Sequence, residues 1–239
     1  MVTGLARLKS VLDSLDDVLQ LPQTQDSLQN DVVEKLLEDF LRFVDAYEVF
    51  HGVLLGLRQE VSSAQVAIRR KDNSKLGLYV KAHKKFANDV AKLVGTLTER
   101  SNEVVKPDDE IYIVVRDACR LTASISEAVF GGMSGSFGPG RRPIWAGLGL
   151  GIRKARKEEE GVGEFGKVVK GVESLLEFRK RKSNNNNNND SNREEVKMGV
   201  LKGMQEMEEC VGEMERESEK VFRSLISNRV SLLNILTHA

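Results

Sequence analysis

The sequence has few aromatic residues, prolines or cysteines. Of its 239 residues, 5% are aromatic, four are proline and two are cysteine. Proteins rich in β-strands use more aromatic and turn-forming residues, so this composition favours helices. The two cysteines are too few for a disulfide framework, and their number suits a reducing compartment.

Net charge is absent as well. The chain has 36 basic and 36 acidic side chains, which excludes a globally basic nucleic-acid binder of the histone or ribosomal kind, and no specific nucleic acid is expected. The balance is uneven along the chain, because residues 1–50 carry a charge of −6 and residues 51–100 a charge of +6. Opposite charges of this kind favour attraction between the two segments within a bundle.

Long hydrophobic runs are missing too. The uncharged, semi-apolar run from Pro143 to Ile152 has ten residues and cannot span a bilayer. The first 21 residues contain Asp13, Asp16 and Asp17 and no continuous apolar core, so we expect neither a signal peptide nor a transit peptide. The sequence predicts a cytoplasmic protein, with nuclear and membrane-peripheral locations as alternatives.

Apolar residues recur every three or four positions through most of the chain, which is typical of helices that bury one face. The longest stripes cover residues 33–68 and 200–236, and their mean spacing of about 3.5 residues favours bundle packing. The sequence predicts an all-α fold. We expect an elongated antiparallel helical bundle of five or six helices, two of them long, in a single domain of residues 1–239.

Local signals place the ends of these helices. Pro22 should end the first helix, because proline disfavours helical geometry at the residue before it. Ser74 is a candidate N-cap of the third helix. The β-branched run 111–115 leaves a strand as the alternative to a fourth helix, although the spacing that follows favours the helix. Gly52 and Gly56, one turn apart in the second helix, are candidates for a close helix crossing.

The helical pattern fails in two places. Residues 131–163 are rich in glycine and basic residues, which predicts an insertion with a loop at 131–140 and a short helix at 145–157. Residues 183–193 include six consecutive asparagines and offer nothing to bury, which predicts a disordered linker.

Four segments carry a family resemblance. They are residues 41–47, 54–58 and 66–71 of the second helix and the tail 229–237. In these segments the chain resembles a plant-specific family labelled as domain of unknown function 241 and related to the BYPASS-one proteins. The likeness covers nearly the whole chain and rests on helix-packing patterns. It implies a helical plant protein with a role in root and shoot development, and it implies no catalytic residues.

One glycine motif is similar to a phosphate-binding loop. Gly161 to Lys167 have the spacing of its glycines and lysine, but Val168 stands where a hydroxyl should bind magnesium, and no buried strand precedes the segment. We interpret it as the approach to a helix. The glycines at 138–140 and 147–151 also lack the strand–turn–helix context of a dinucleotide site, so no cofactor is predicted.

The histidines and cysteines do not form a metal-binding pattern. His51, His83 and His238 are not spaced as ligands, and Cys119 and Cys210 have no Cys-x-x-Cys partner. We interpret His83 as a core histidine with a hydrogen-bond partner and both cysteines as small buried side chains. A Cys–His nucleophile pair is the alternative. No metal site and no catalytic residue are predicted, and we expect a protein that is not an enzyme.

The last helix is rich in methionine. It contains Met198, Met204, Met207 and Met214, three of them on the apolar stripe. We interpret these residues as core filling, and an adaptable groove for a partner is the alternative.

A basic segment surrounds the single tryptophan. Residues 141–157 carry six positive charges and no acid. Basic residues around an interfacial tryptophan are typical of contact with an anionic membrane surface, and a solvated loop is the alternative. The candidate contact residues are Arg141, Arg142, Trp145, Arg153, Lys154, Arg156 and Lys157.

A second basic cluster lies beside the asparagine tract. Its residues, Arg179, Lys180, Arg181 and Lys182, form a candidate nuclear import signal. The alternative is that these cations complete the C-terminus of a helix, where positive charge suits the helix dipole.

The missing catalytic pattern and the long heptad stripes favour a non-enzymatic scaffold or regulatory interaction protein, and the resemblance implies that it acts in plant development. Contact with an unknown protein partner would use the basic insertion and the outer faces of the two long helices. The alternative is a peripheral membrane protein that uses residues 141–157. Self-association is also possible, because heptad stripes close within one chain or between chains.

Overall fold

The computed structural model describes residues 1–98, 110–137, 163–181 and 190–238. This part of the chain contains helices and no strand, which confirms the predicted all-α fold. Its helices are α1 (Val2–Leu19), α2 (Pro22–Ser27), α3 (Asn30–Arg70), α4 (Asn73–Thr98), α5 (Glu110–Phe137), α6 (Gly163–Arg181) and α7 (Asp190–His238). The strand considered for residues 111–115 is replaced by the first turns of α5.

The short helix α2 is the one that the apolar spacing does not predict. Helix α1 ends at Leu19, and Leu21 is extended (φ −70°, ψ 135°), as the residue before a proline should be. Pro22 then occupies the first turn of α2, where its missing N–H costs nothing. Six residues are too few to show a helical period, so proline marks both the predicted end and an unpredicted beginning.

The predicted loop at 131–140 is wrong over residues 131–137, which continue α5. Phe130, Met133 and Phe137 are buried at helical spacing and extend the stripe past the glycines. Burial of these side chains outweighs the low helix propensity of glycine, which costs about 1 kcal/mol per residue.

A tight turn joins α3 to α4. Lys71 has a positive φ of 60°. The N–H of Lys71 donates to the carbonyl of Ile68 (3.3 Å) and that of Asp72 to the carbonyl of Ala67 (2.9 Å), a Schellman ending of α3. Asp72 Oδ1 accepts the N–H of Lys75 at 3.1 Å, so Asp72, and not the predicted Ser74, caps α4.

The chain divides into two compact units. Unit 1 consists of Met1–Gly52, Lys92–Phe130 and Met214–Ala239, and unit 2 consists of Val53–Ala91 and Gly131–Glu213. Four of the helices, α3, α4, α5 and α7, contribute residues to both units. The single domain expected from the sequence stays a prediction.

The core of unit 1 contains an aromatic cluster of α3 and α5. The rings of Phe50 and Phe130 have centroids 4.6 Å apart, and Tyr47 lies 5.4 Å from Phe130. The hydroxyl of Ser126 donates to the carbonyl of Thr122, so the Tyr47 hydroxyl donates to Ser126 Oγ (3.1 Å). Burial raises the pKa of Tyr47 well above its usual value, and this phenol stays neutral.

The core of unit 2 depends on close approach at glycines. A Cβ added to Gly171 of α6 would lie 2.4 Å from Val200 Cγ2, and one added to Gly203 of α7 would lie 2.8 Å from Val168 Cγ2. Each helix therefore places a valine against a glycine of the other. Gly56 lies close to the ring of Phe86, as predicted for a crossing, whereas nothing approaches Gly52 within 4 Å.

Two predicted segments lie outside the described residues. The helix at 145–157 belongs to this group, and so do residues 183–189 of the predicted asparagine-rich linker at 183–193. Helix α7 begins at Asp190 and so overlaps the predicted linker. In the described part of the chain no helix has the length and apolar character that crossing a bilayer requires.

Candidate functional site

A seam of polar side chains joins α1 to the C-terminal part of α7 in unit 1. Asp13 and Asp16 come from α1, and Ser224, Asn228 and Ser231 come from one face of α7 at spacings of four and three. The Ser224 hydroxyl donates to Asp13 Oδ1 (2.7 Å), and the Ser231 hydroxyl donates to Asp16 Oδ1 (2.6 Å). We call these five residues the polar seam.

The bonds of the polar seam also fix the direction of the two helices. Ser227 adds a hydrogen bond to Asp16 Oδ2 at 2.9 Å. Residue numbers rise together across the pairs, from Asp13 with Ser224 to Asp16 with Ser231, so α1 and α7 run parallel. A shift of α7 by one turn would separate the hydroxyls from the carboxylates.

Asn228 is the buried member of the polar seam, with no exposed surface. Its Nδ2 donates to the carbonyl of Leu12 (2.9 Å) and to the carbonyl of Ser224 (2.7 Å). Its Oδ1 has no hydrogen-bond partner among the described residues. The bond to Ser224 lies within α7, whereas the bond to Leu12 links α7 to α1 and favours one rotation of α7 about its axis, because another rotation leaves this donor unpaired.

The carboxyl group of Asp13, in the polar seam, has a lowered pKa. Partial burial raises the pKa of Asp13, but hydrogen bonds from Lys9 and Ser224 and the positive charge of Lys9 outweigh burial, so the net shift is downward. The carboxylate is therefore ionised at neutral pH. It accepts the Lys9 ammonium through Oδ2 and the Ser224 hydroxyl through Oδ1.

An open depression of about 300 Å³ lies beside the polar seam. Asp17 and Arg223 are exposed at its rim, and Arg223 forms an ion pair with Glu219. The oxygens of Asp13 and Asp16 already accept bonds from hydroxyls. Among the described residues no group of three or more His, Cys, Asp or Glu side chains is arranged to hold a metal ion. The seam's evident action is to orient α7.

The opposite side of the same helix turns is apolar and exposed. Ile226, Val230 and Leu233 follow each other at spacings of four and three and are 41%, 50% and 39% exposed. They lie roughly half a turn from Asn228 around the helix, at 100° per residue. Since the polar seam faces α1, these three residues face away from α1. We call them the outer face of α7.

The charge around this face has one sign. From Lys220 to His238 the chain has three basic residues and no acid. Arg229 lies beside the outer face, and its buried Nε has no hydrogen-bond partner among the described residues. Arg229 is half-buried, and its guanidinium adds positive charge at the edge of the apolar stripe.

Sequence reasoning named the outer faces of the long helices but missed the polar seam. Ser224, Asn228 and Ser231 have a four–three spacing that could have been read as a second, polar stripe. Nothing in the sequence, however, pairs that stripe with Asp13 and Asp16, which precede it by more than 200 residues. The pairing depends on tertiary structure.

The basic site residues predicted from sequence are not tested. Arg141, Arg142, Trp145, Arg153, Lys154, Arg156 and Lys157 lie outside the described residues. Of the candidate import signal, residues 179–181 belong to the last turn of α6 and Lys182 lies outside the described residues.

The structure replaces the glycine motif with a helix. Residues 163–167 belong to α6, which begins at Gly163. Val168 is buried in the core, at the position that a magnesium-binding hydroxyl would need. In the described part of the motif, the backbone is therefore not a phosphate-binding loop.

His83 is a core residue, as predicted, but its Nε2 lacks a partner among the described residues. Its ring lies between Tyr79 and Phe137, with centroid distances of 5.8 and 4.5 Å. Burial lowers the pKa of His83 to about 4, so the ring is neutral at pH 7.

The sulfur-containing residues follow their predicted roles with two exceptions. Cys119 is buried, and burial raises the pKa of its thiol, whereas Cys210 is only half-buried. The stripe methionines Met204, Met207 and Met214 fill the core, and Met198 is exposed. Neither Cys119 nor Cys210 forms a disulfide.

The fold and site define an all-α protein whose terminal helices meet through hydrogen bonds and leave one helix face uncovered. The family model described as Protein BPS1 matches residues 4–235, and the chain belongs to this family. The resemblance to the BYPASS-one-related family is thereby confirmed. No curated protein and no solved structure matches the chain.

Proposed function

We propose that the chain is a non-enzymatic interaction protein that acts as a scaffold or regulator in plant development and binds a partner helix at the outer face of α7. The developmental role rests on membership of the Protein BPS1 family and on the resemblance that the helix segments carry. The observation that supports the mode of action is the exposed apolar stripe of Ile226, Val230 and Leu233.

Three features make this stripe a better docking surface than the other exposed apolar residues. Its members occupy consecutive helix turns, so that they form one strip, with the spacing a partner helix needs. The polar seam fixes the orientation of α7 on the opposite side of the helix, so the outer face is preorganised for a partner. Half-buried Arg229 adds a positive charge at the edge of the strip.

Proximity labelling in root tissue tests this proposal. The full chain, fused to a labelling enzyme, is compared with Val230→Glu, which places a charge in the centre of the strip. Leu78→Glu is the matched control, because Leu78 is an equally exposed apolar residue of α4 in unit 2 (58% against 50%). We expect Val230→Glu to lose a set of labelled proteins that Leu78→Glu retains. Identical sets for all three chains would contradict the proposal.

The basic segment 141–157 supports a second candidate function, attachment to an anionic membrane surface. Six positive charges near a tryptophan provide both electrostatic attraction and an interfacial anchor. The test is sedimentation with vesicles that contain phosphatidylserine, at low and high salt. Binding that weakens with salt and is lost on Trp145→Ala with Arg153→Gln supports it, and absence of binding at low salt removes it.

The candidate import signal at 179–182 has its own test. A fluorescent fusion that enters the nucleus only when Arg179 to Lys182 are intact would support it. A fusion that stays out of the nucleus in both forms would remove it.

A further inference from the structure

A second uncovered face lies in unit 1, on the first part of α3, and its charge is opposite to that of α7. Leu41 and Val49 are 40% and 51% exposed. Asp45 lies one turn from each of them and is exposed, as are Glu38 and Glu48. From Asp31 to Glu48 the chain has six acidic and two basic residues. We call Leu41, Asp45, Glu48 and Val49 the outer face of α3.

The two outer faces match in length and complement each other in charge. Leu41 and Val49 are eight residues apart, roughly 12 Å, while Ile226 and Leu233 are seven apart, roughly 10 Å, at a rise of about 1.5 Å per residue. The face on α7 is flanked by Arg223, which pairs with Glu219 along the helix, and by Arg229, whereas acids predominate around the face on α3. Both faces are exposed in one chain, so neither covers the other within it.

We propose that the partner of the outer face of α7 is a second copy of this chain, bound through the outer face of α3. The proposal rests on the proposed function and names the occupant of the same face. Half-buried Arg229 would lie at the edge of this contact, where Asp45 and Glu48 supply carboxylates.

Pairing of α7 with α7 of a second copy fits the charges less well. In a parallel pair, Arg223 would face Arg223 of the second chain, and Glu219 would face Glu219. An antiparallel pair centred on residues 228–229 would bring the two Arg229 side chains together. Like charges at a contact cost free energy. Contact between α7 and α3 avoids both arrangements. Since the residue sets differ on the two sides, the contact is heterologous, and each chain offers one face of each kind to its neighbours.

The contact should be weak and sensitive to salt. Stable interfaces bury about 1,600 Å² in total, and two short helix faces with five exposed apolar side chains offer much less. Charge around an exposed contact is screened at about 8 Å in physiological salt. We therefore expect association that rises with protein concentration and falls as salt is added.

Sedimentation velocity of the full chain tests the proposal by complementation. One variant, Val230→Glu, breaks the face on α7. Another, Leu41→Lys with Val49→Lys, breaks the face on α3. We expect the wild-type chain to associate over a concentration range of about a hundredfold, and each variant alone to stay monomeric. A mixture of the two variants should associate again, because each retains the face that the other lacks.

Two controls keep the result interpretable. Leu78→Glu should associate like the wild type, since Leu78 lies on neither face. Circular dichroism should show unchanged melting for the variants, because all substituted residues are exposed. If Val230→Glu melts early, Leu233→Gln replaces it as the variant of α7.

Three outcomes would overturn the proposal. These are a wild-type chain that is monomeric at every concentration in low salt, a variant of α3 that still associates, and a mixture that stays monomeric. None of them touches the labelling experiment, in which a loss of partners by Val230→Glu would still support the proposed function with another protein as occupant.

Discussion

The two units hold the same long helix by different chemistry. In unit 1, Ser224, Asn228 and Ser231 of α7 bond to α1 through hydroxyl and amide donors at 2.6–2.9 Å. In unit 2, α7 and α6 meet where Gly171 and Gly203 admit Val200 and Val168. Hydrogen bonds fix a direction and a register, whereas a valine against a glycine fixes a distance.

The largest expected effect is the pH dependence of the free energy of unfolding, which His83 introduces in unit 2. The pKa of buried His83 in unit 2 is lowered to about 4, while an unfolded histidine titrates near 6.5. Between these values the unfolded chain binds a proton that the folded chain does not. The free energy of unfolding should therefore fall by about 1.4 kcal/mol per pH unit as pH drops from about 6.5 to about 4.

Hydrogen exchange and urea unfolding along this pH series are the measurements. His83→Phe should flatten the slope in that window. Asp13 of unit 1 has a lowered pKa, so its contribution is present above the unfolded value of about 3.9 and is lost only in stronger acid. A slope that is unchanged in His83→Phe would show that another group controls it.

Closing the glycine contact in unit 2 should have the next largest effect. Gly171→Ala places a Cβ 2.4 Å from Val200, whose χ1 is stiff, and should lower the free energy of unfolding by about 2 kcal/mol. Gly203→Ala should lower the free energy of unfolding by less, because its added Cβ would lie 2.8 Å from Val168 Cγ2. The midpoint of urea unfolding measures both.

Gly199→Ala is the matched control, and Gly199 lies in α7, as Gly203 does. Nothing lies within 4 Å of the added Cβ, and alanine is a better helix former than glycine. It should raise stability by about 0.5–1 kcal/mol. Equal losses at Gly171 and Gly199 would mean that helix propensity, and not close packing, decides the effect.

Removing a carboxylate from the polar seam should have a smaller effect. Asp16→Ala leaves the hydroxyls of Ser227 and Ser231 without their acceptor. Both carboxylate and hydroxyls are partly reached by water, so we expect a loss of about 1 kcal/mol. Exchange at amides near the C-terminus of α7 should also accelerate. Asp17→Ala, at an exposed neighbour, should change stability by less than about 0.5 kcal/mol.

The smallest expected effect is a gain in unit 2. Lys71 has a φ of 60°, in the left-handed region that favours glycine. Lys71→Gly relieves this strain but adds freedom to the unfolded chain, so the net gain should be about 0.5 kcal/mol. Lys71→Ala keeps the positive φ and should bring no gain. Thermal unfolding that ranks alanine above glycine would contradict the strain argument.

The sequence predicted those parts of the fold that depend on local periodicity. Along the predicted stripe at 200–236, for example, Val200, Val211 and Leu225 are buried. Prediction failed where tertiary burial opposed local preference, as at Met133 and Phe137 beyond the glycines. It also failed at Asp72, which caps α4 because the Schellman turn places it one residue before the helix begins.

The candidate site could be predicted only in half. The outer face of α7 follows from the spacing of Ile226, Val230 and Leu233, which a sequence shows. The polar seam behind it requires a pairing over 211 residues, from Asp13 to Ser224, that no local pattern encodes. Serines on a helix suggest exposure. Only the carboxylates of α1 explain why Ser224 and Ser231 face inward.

Site-specific photo-crosslinking tests the central claim most directly, namely that the outer face of α7 binds a protein. A benzoylphenylalanine at position 230 of the full chain is compared in root cells with the same residue at position 78, which is similarly exposed. We expect discrete crosslinked products from position 230 and none of them from position 78. Absence of products at position 230, or the same products from both positions, would contradict the claim.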